Sequence, residues 1–138
     1  MSKTKTNEEE LQQKYLQFQL LQQQLEQVNE HLQMLNQQNA ELDISVNAVA
    51  ELSQTEVNNE ILAPIANGIF LKAKLTDNKK FIVNVGSDTT VEKTIPEVIK
   101  LLEEQKQQVY QQLVEADAIM QELTSQAQNI YQQIEKEQ

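Results

Sequence analysis

The residue types that usually carry chemistry are sparse in this sequence. His31 is its single histidine and cysteine is absent, which removes disulfides, thiolate nucleophiles and Cys/His metal centres together. A lone imidazole beside Leu32, on an outward-facing helix position, reads as solvated surface, so no metal ligand is expected. The acidic neighbours Glu103 and Glu104, and Asp43 near Glu41, also fall on expected helix surface with no pocket to make them an acid–base pair. Gly68 and Gly86 are the two glycines. Neither opens a GxxxxGK loop, so no phosphate cradle is expected and any action should be independent of ATP. These residues predict no enzyme, no catalytic residue, no cofactor and no metal. The chemistry left is contact between apolar surfaces.

Charge narrows what is contacted. The 138 residues carry a net charge of −10, and all eleven basic residues are lysines. Phosphate neutralisation needs a basic face and bidentate base contacts favour arginine, so nucleic acid is not an expected partner. The same charge opposes an anionic membrane surface, and no stretch approaches the roughly 18 apolar residues of a membrane span. The opening MSKTKTNEEE lacks the apolar core of a secretory signal. A soluble, cytoplasmic chain is the expectation.

The elements that must present an apolar surface are helices. Gly and Pro are scarce while Gln, Glu and Leu are frequent, so helix can propagate with few breaks. Alternating steps of three and four residues from Leu11 land on Lys14, Phe18, Leu21, Leu25, Val28, Leu32, Leu35, Asn39, Leu42, Val46 and Val49, and ten of these twelve positions are apolar. A second series runs Ile99, Leu102, Lys106, Val109, Leu113, Ala116, Met120, Leu123, Ala127, Ile130 and Ile134, with ten of eleven apolar. Both are heptad seams of a coiled coil. At 1.5 Å per residue they extend roughly 59 and 54 Å, a match that favours antiparallel pairing within one chain. Thr6 with Glu9, and Thr94 with Glu97, have capping-box spacing. The helices are expected over residues 7–55 and 95–136.

Between them the pattern changes. Residues 61–65 form an apolar run, 68–75 and 81–85 alternate, and 89–93 make a fourth short segment. Turns are expected at Asn67–Gly68, at Asp77 and Asn78, and at Gly86, Ser87 and Asp88, giving two β-hairpins over residues 61–93. The predicted class is α+β and predominantly α: a long antiparallel two-helix coiled coil with two central hairpins, in one domain spanning residues 1–138.

Four short strands bury little and need a partner. The most economical cover for Ile61, Ile65, Ile69, Leu71, Phe81, Val83, Val85 and Val91 is the same strands of another subunit, closing a sheet or barrel between chains; strands packed on the coil's base would instead give a monomer. At the other end Tyr15, Leu20 and Tyr131 lie off the seam, where pairing cannot bury them. Together with Leu11, Phe18, Leu21, Ile130 and Ile134 they form a candidate sticky tip for another apolar surface, exposed more fully if the helix ends splay, and incidental hydrophobes on frayed ends are the alternative. Asn39, Lys14 and Lys106 depart from the apolar seam. Asn39 fits either a register role or a plain local loosening of the coil, and the lysine stems can reach water.

A helix, then ILAPIANGIFLKAKL, then FIVNVGSDTTVEKT, then a returning helix resembles the alpha class of the prefoldin family over nearly the whole chain, the paired hairpins being the specific part. That resemblance implies two alpha-type subunits joined through residues 61–93 into a barrel carrying four beta-type subunits. It also implies coil tips that hold non-native proteins and pass them to a group II chaperonin without nucleotide. A filament-forming structural relative with the same coils is the alternative, and a plain coiled-coil tether would leave the strands without a purpose.

Overall fold

A computed structural model describes residues 2–137, with side chains from residue 7 onward. The order is helix α1 (Ser2–Gln54), strands β1 (Glu60–Ala66), β2 (Ile69–Lys74), β3 (Lys80–Gly86) and β4 (Thr89–Thr94), and helix α2 (Ile95–Glu137). The chain divides into two compact units, one of Met1–Gln38 with Val109–Gln138 and one of Asn39–Gln108.

In both helices the heptad reading holds residue by residue. Every seam position from Leu11 to Val49 and from Ile99 to Ile134 is buried or half-buried, and every other residue of 12–41 and 103–133 is exposed. In the first unit Lys14 meets Glu137 and Phe18 meets Tyr131, so numbers rise along one helix as they fall along the other, the antiparallel sense expected. Its buried core includes Leu21, Leu35, Ala116, Ala127 and Ile134.

The first helix begins earlier than the sequence suggests, at Ser2. The expected cap Thr6 is thus inside α1, and its side chain lies outside those described. The second cap forms as expected. The Glu97 N–H donates to Thr94 Oγ1 at 3.4 Å, and the Thr94 hydroxyl donates to Glu97 Oε1 at 2.9 Å, which satisfies a first-turn N–H of α2.

In the second unit β1 pairs with β2 and β3 with β4, each antiparallel, forming two separate two-stranded sheets. Ile61 faces Ala73 and Ala63 faces Leu71 in the first hairpin, and Val83 faces Val91 in the second. Both registers shift just before the turn, leaving Ile65 and Val85 in bulges. Ser87 and Asp88 adopt φ of 50° and 59°, the left-handed pair of a two-residue type I′ turn, while Gly68 supplies φ 78° in the other hairpin.

Leu75 was expected on the β2 face, but it lies beyond that strand and is buried. Its backbone bonds with that of Asn58 and Asn59, at 2.7 Å and 3.0 Å, after Asn58 turns the chain out of α1 with φ 75°. The β2–β3 loop also ties back, because Asn78 Nδ2 donates to the Thr55 carbonyl at 3.0 Å, one of the acceptors that a helix end leaves free. Asp77 Oδ1 accepts from the Lys79 N–H at 2.7 Å and closes that loop as an Asx turn.

Candidate functional site

Two surfaces stand out, one in each unit. In the hairpins, at least half of β1, β2 and β3 is apolar yet little of it is covered. Ile61, Phe81 and Val83 are half-buried, whereas Ile65, Ile69, Leu71 and Val85 are more than half exposed and Val91 is 38% exposed. Alternation along β2 puts Ile69 and Leu71 on one face of the first hairpin and pairing sets Val83 opposite Val91 in the second, with Ile65 and Val85 in the adjoining bulges. Ala63 and Ala73 are too small to add much.

The sequence reading missed the opposite faces. Leu62, Phe70 and Ile82 are 61%, 57% and 75% exposed, and Phe70 pairs with Pro64 across the first hairpin. The signal was available, since ILAPIA and KFIVNVG are apolar at consecutive rather than alternate positions, the pattern of strands covered on both faces.

The first unit presents the paired helix ends. Leu11, Phe18 and Ile130 are half-buried, while Leu21 and Ile134 are buried in the seam. Tyr15, Leu20 and Tyr131 project with 40%, 55% and 51% of their surface exposed. The eight expected tip residues therefore divide into a closed seam and an exposed fringe. Phe18 and Tyr131 rings lie 5.9 Å apart in a tilted arrangement, across an open groove of about 520 Å³ that also includes Leu25 and Ala127. A shallower groove of about 370 Å³ is lined by Leu20, Leu21 and Ile130 with amide side chains around them. The Glu135 carboxylate, through a hydrogen bond and its charge, holds the Tyr131 phenol above its ordinary pKa. Leu16, 66% exposed, is a further tip hydrophobe that the reading of the sequence left out.

The two seam lysines are both ion-paired. Lys14 Nζ is 2.7 Å from Glu137 Oε1, and Lys106 pairs with Asp43. The Asp43 hydrogen bond, opposed by some desolvation, sets the Lys106 pKa above its ordinary value. Among the described residues no group of three or more His, Cys, Asp or Glu is placed to hold a metal, and no helix is long and apolar enough to cross a membrane.

Paired heptad helices, two antiparallel hairpins and broad exposed apolar surfaces define a coiled-coil architecture built for contact. The family model described as Prefoldin subunit matches residues 21–138, and the chain belongs to the prefoldin family, a family of non-enzymatic chaperones. Among its relatives are proteins named Prefoldin subunit alpha. That of Methanococcus aeolicus is 37% identical over 66% of this chain, that of Thermofilum pendens 32% over 71%, and that of Pyrococcus horikoshii 37% over 70%. These matches span 61%, 75% and 66% of the relatives' own lengths. A cryo-EM structure of filamentous PFD from Methanocaldococcus jannaschii superposes with a TM-score of 0.75 at 17% identity, covering 86% of this chain and 98% of that one, which shows the fold. The resemblance read from the hairpin sequences is thereby borne out at the level of family, alpha class and fold.

Proposed function

We propose that this chain is an alpha subunit of an ATP-independent, cytoplasmic holdase. Two copies join through their hairpins into a barrel that carries four beta-type subunits, and the helix tips hold non-native proteins for delivery to a group II chaperonin. The observation that carries the reading is the exposure of Ile65, Ile69, Leu71 and Val85, more than half of each. Strands with so much uncovered apolar surface are poorly stable alone, and their free edges offer backbone groups to another chain.

Holding then follows from the tip. A non-native protein exposes scattered apolar patches, and an open groove beside Phe18 and Tyr131 gives each patch a weak contact. Several tethered tips raise the effective concentration of the next contact, so avidity replaces a deep pocket. Gln and Glu on the remaining helix surface keep the arms soluble, which confines stickiness to the ends.

The test is to mix the chain with a beta-type subunit, measure mass by native mass spectrometry, and follow suppression of client aggregation. A closed heterohexamer that suppresses aggregation supports the proposal. Long polymers of this chain alone would favour the filament-forming alternative, and a persistent monomer would overturn the strand interface. Removing residues 1–20 and 126–138 should leave assembly intact and abolish suppression; undiminished suppression overturns the tip assignment.

A further inference from the structure

The seam of the first unit contains a charged layer. The next seam step of three residues beyond Ile134 lands on Glu137, so Lys14 and Glu137 both occupy seam positions, and they meet at 2.7 Å. Their side chains are only 23% and 36% exposed. Leu11 on one side of this layer is half-buried and Ile134 on the other is buried. Several positions flanking the seam nearby, Gln17, Gln22 and Gln126, carry amides, although Glu10 beside Leu11 is acidic. A small groove lined by Asn7, Glu8 and Leu11 opens directly beside Glu137.

We propose that Lys14 and Glu137 form a salt-sensitive latch that holds the helix tip closed and whose release frees the last turns of both helices. A seam layer of two leucines would close the tip permanently, and sodium chloride would hardly loosen it. An ion pair behaves differently, because the screening length falls from about 10 Å at 0.1 M salt to about 3 Å at 1 M. Either partner alone would leave a partly desolvated charge in an apolar seam, which disfavours closure. Opening bares Leu11, Phe18, Ile130 and Ile134, the surface that the proposed holding function uses, so the latch's role in holding rests on that reading. The latch itself does not.

Hydrogen–deuterium exchange of the full chain, read in peptides covering residues 7–21 and 127–137, tests it. Separated helix ends are too short to stay helical alone, so exchange reports opening. Raising sodium chloride from about 0.05 M to 1 M should speed exchange about two- to fivefold, the range of a partly exposed ion pair. Lys14→Glu should open the tip at low salt at least as far, and the double swap Lys14→Glu/Glu137→Lys should close it again. Lys14→Leu/Glu137→Leu should slow exchange and abolish the salt response. A wild-type tip indifferent to salt, a swap as fast as Lys14→Glu, or a Lys14→Leu/Glu137→Leu chain that keeps the salt response each overturns the latch. If the exchange results hold but Lys14→Leu/Glu137→Leu assemblies suppress client aggregation as well as wild type, the latch stands and the tip is not where clients are held.

Discussion

Replacing Ile69 with aspartate separates assembly from folding. Ile69 lies in β2 opposite Ala66 and is 57% exposed, so little within its own unit depends on it. Full burial of such a side chain is worth about 1.5–3 kcal/mol, and the part still open would contribute about 1 kcal/mol when a second subunit covers it. An aspartate forfeits that and must be desolvated or protonated, at about 2 kcal/mol or more. In a two-fold contact each term counts twice, which totals about 6 kcal/mol, or roughly ten-thousandfold in the dissociation constant. Native mass spectrometry and light scattering at micromolar concentration should therefore find Ile69→Asp dissociated, with helical circular dichroism unchanged. Val83→Asp should dissociate it too but damage the hairpin as well, because Val83 is half-buried against Val91. Intact oligomers from Ile69→Asp would refute the strand interface; dissociation accompanied by lost helicity would refute the separation of assembly from folding.

Substitutions at four further positions probe the local physics. Gly68 has φ 78° and open space where a Cβ would stand, so Gly68→Ala should cost about 1–2 kcal/mol from backbone strain alone, measured by thermal unfolding; Gly86→Ala, at φ 121°, should cost at least as much. Thr94→Ala removes the cap of α2 and should cost about 1 kcal/mol, while Thr94→Ser should recover most of it. The raised Lys106 pKa means that the native state holds this proton more tightly than the unfolded one. Its stabilisation is then complete below the ordinary lysine value of about 10.4 and disappears as pH rises through the raised native value. Asp43→Asn should lower the melting temperature at neutral pH and flatten that alkaline fall, and an unchanged fall would count against the pair.

What the sequence disclosed tracks how local each cause is. The seams were readable because burial follows a step of three and four residues, and Leu21, Leu35, Ala116, Ala127 and Ile134 all fall on it. Turn chemistry placed the hairpins, since Gly68, Ser87 and Asp88 take the positive φ that their positions need. The start of α1 was less visible. Thr6 satisfies a capping pattern, yet nothing in residues 2–5 breaks a helix, so α1 continues to Ser2. Leu75 was assigned to a strand by alternation alone, whereas its backbone is claimed by Asn58 and Asn59 far upstream, a non-local choice that no periodicity encodes. The ion pairs were hidden for the same reason: Lys14 and Lys106 stood out as seam breaks, but Glu137 and Asp43 become their partners only once the pairing register is known.

Two helices alone cannot close a seam completely, and that limit connects the remaining features. Leu35 is the one large side chain among the described residues with less than 2% exposure, while most seam residues stay half-buried. A third or fourth helix would complete the burial, as in a bundle; here the edges of the seam remain as shallow apolar grooves. A chain with such grooves escapes indiscriminate association if the rest of its surface is strongly solvated, which the net charge of −10 and the amide-rich flanks provide. The hairpins meet the same shortage differently, because strand edges can be satisfied by backbone bonding to another copy and helix grooves cannot. Incomplete burial in β1–β4 therefore favours one specific assembly, and incomplete burial at the helix ends favours many weak and interchangeable contacts.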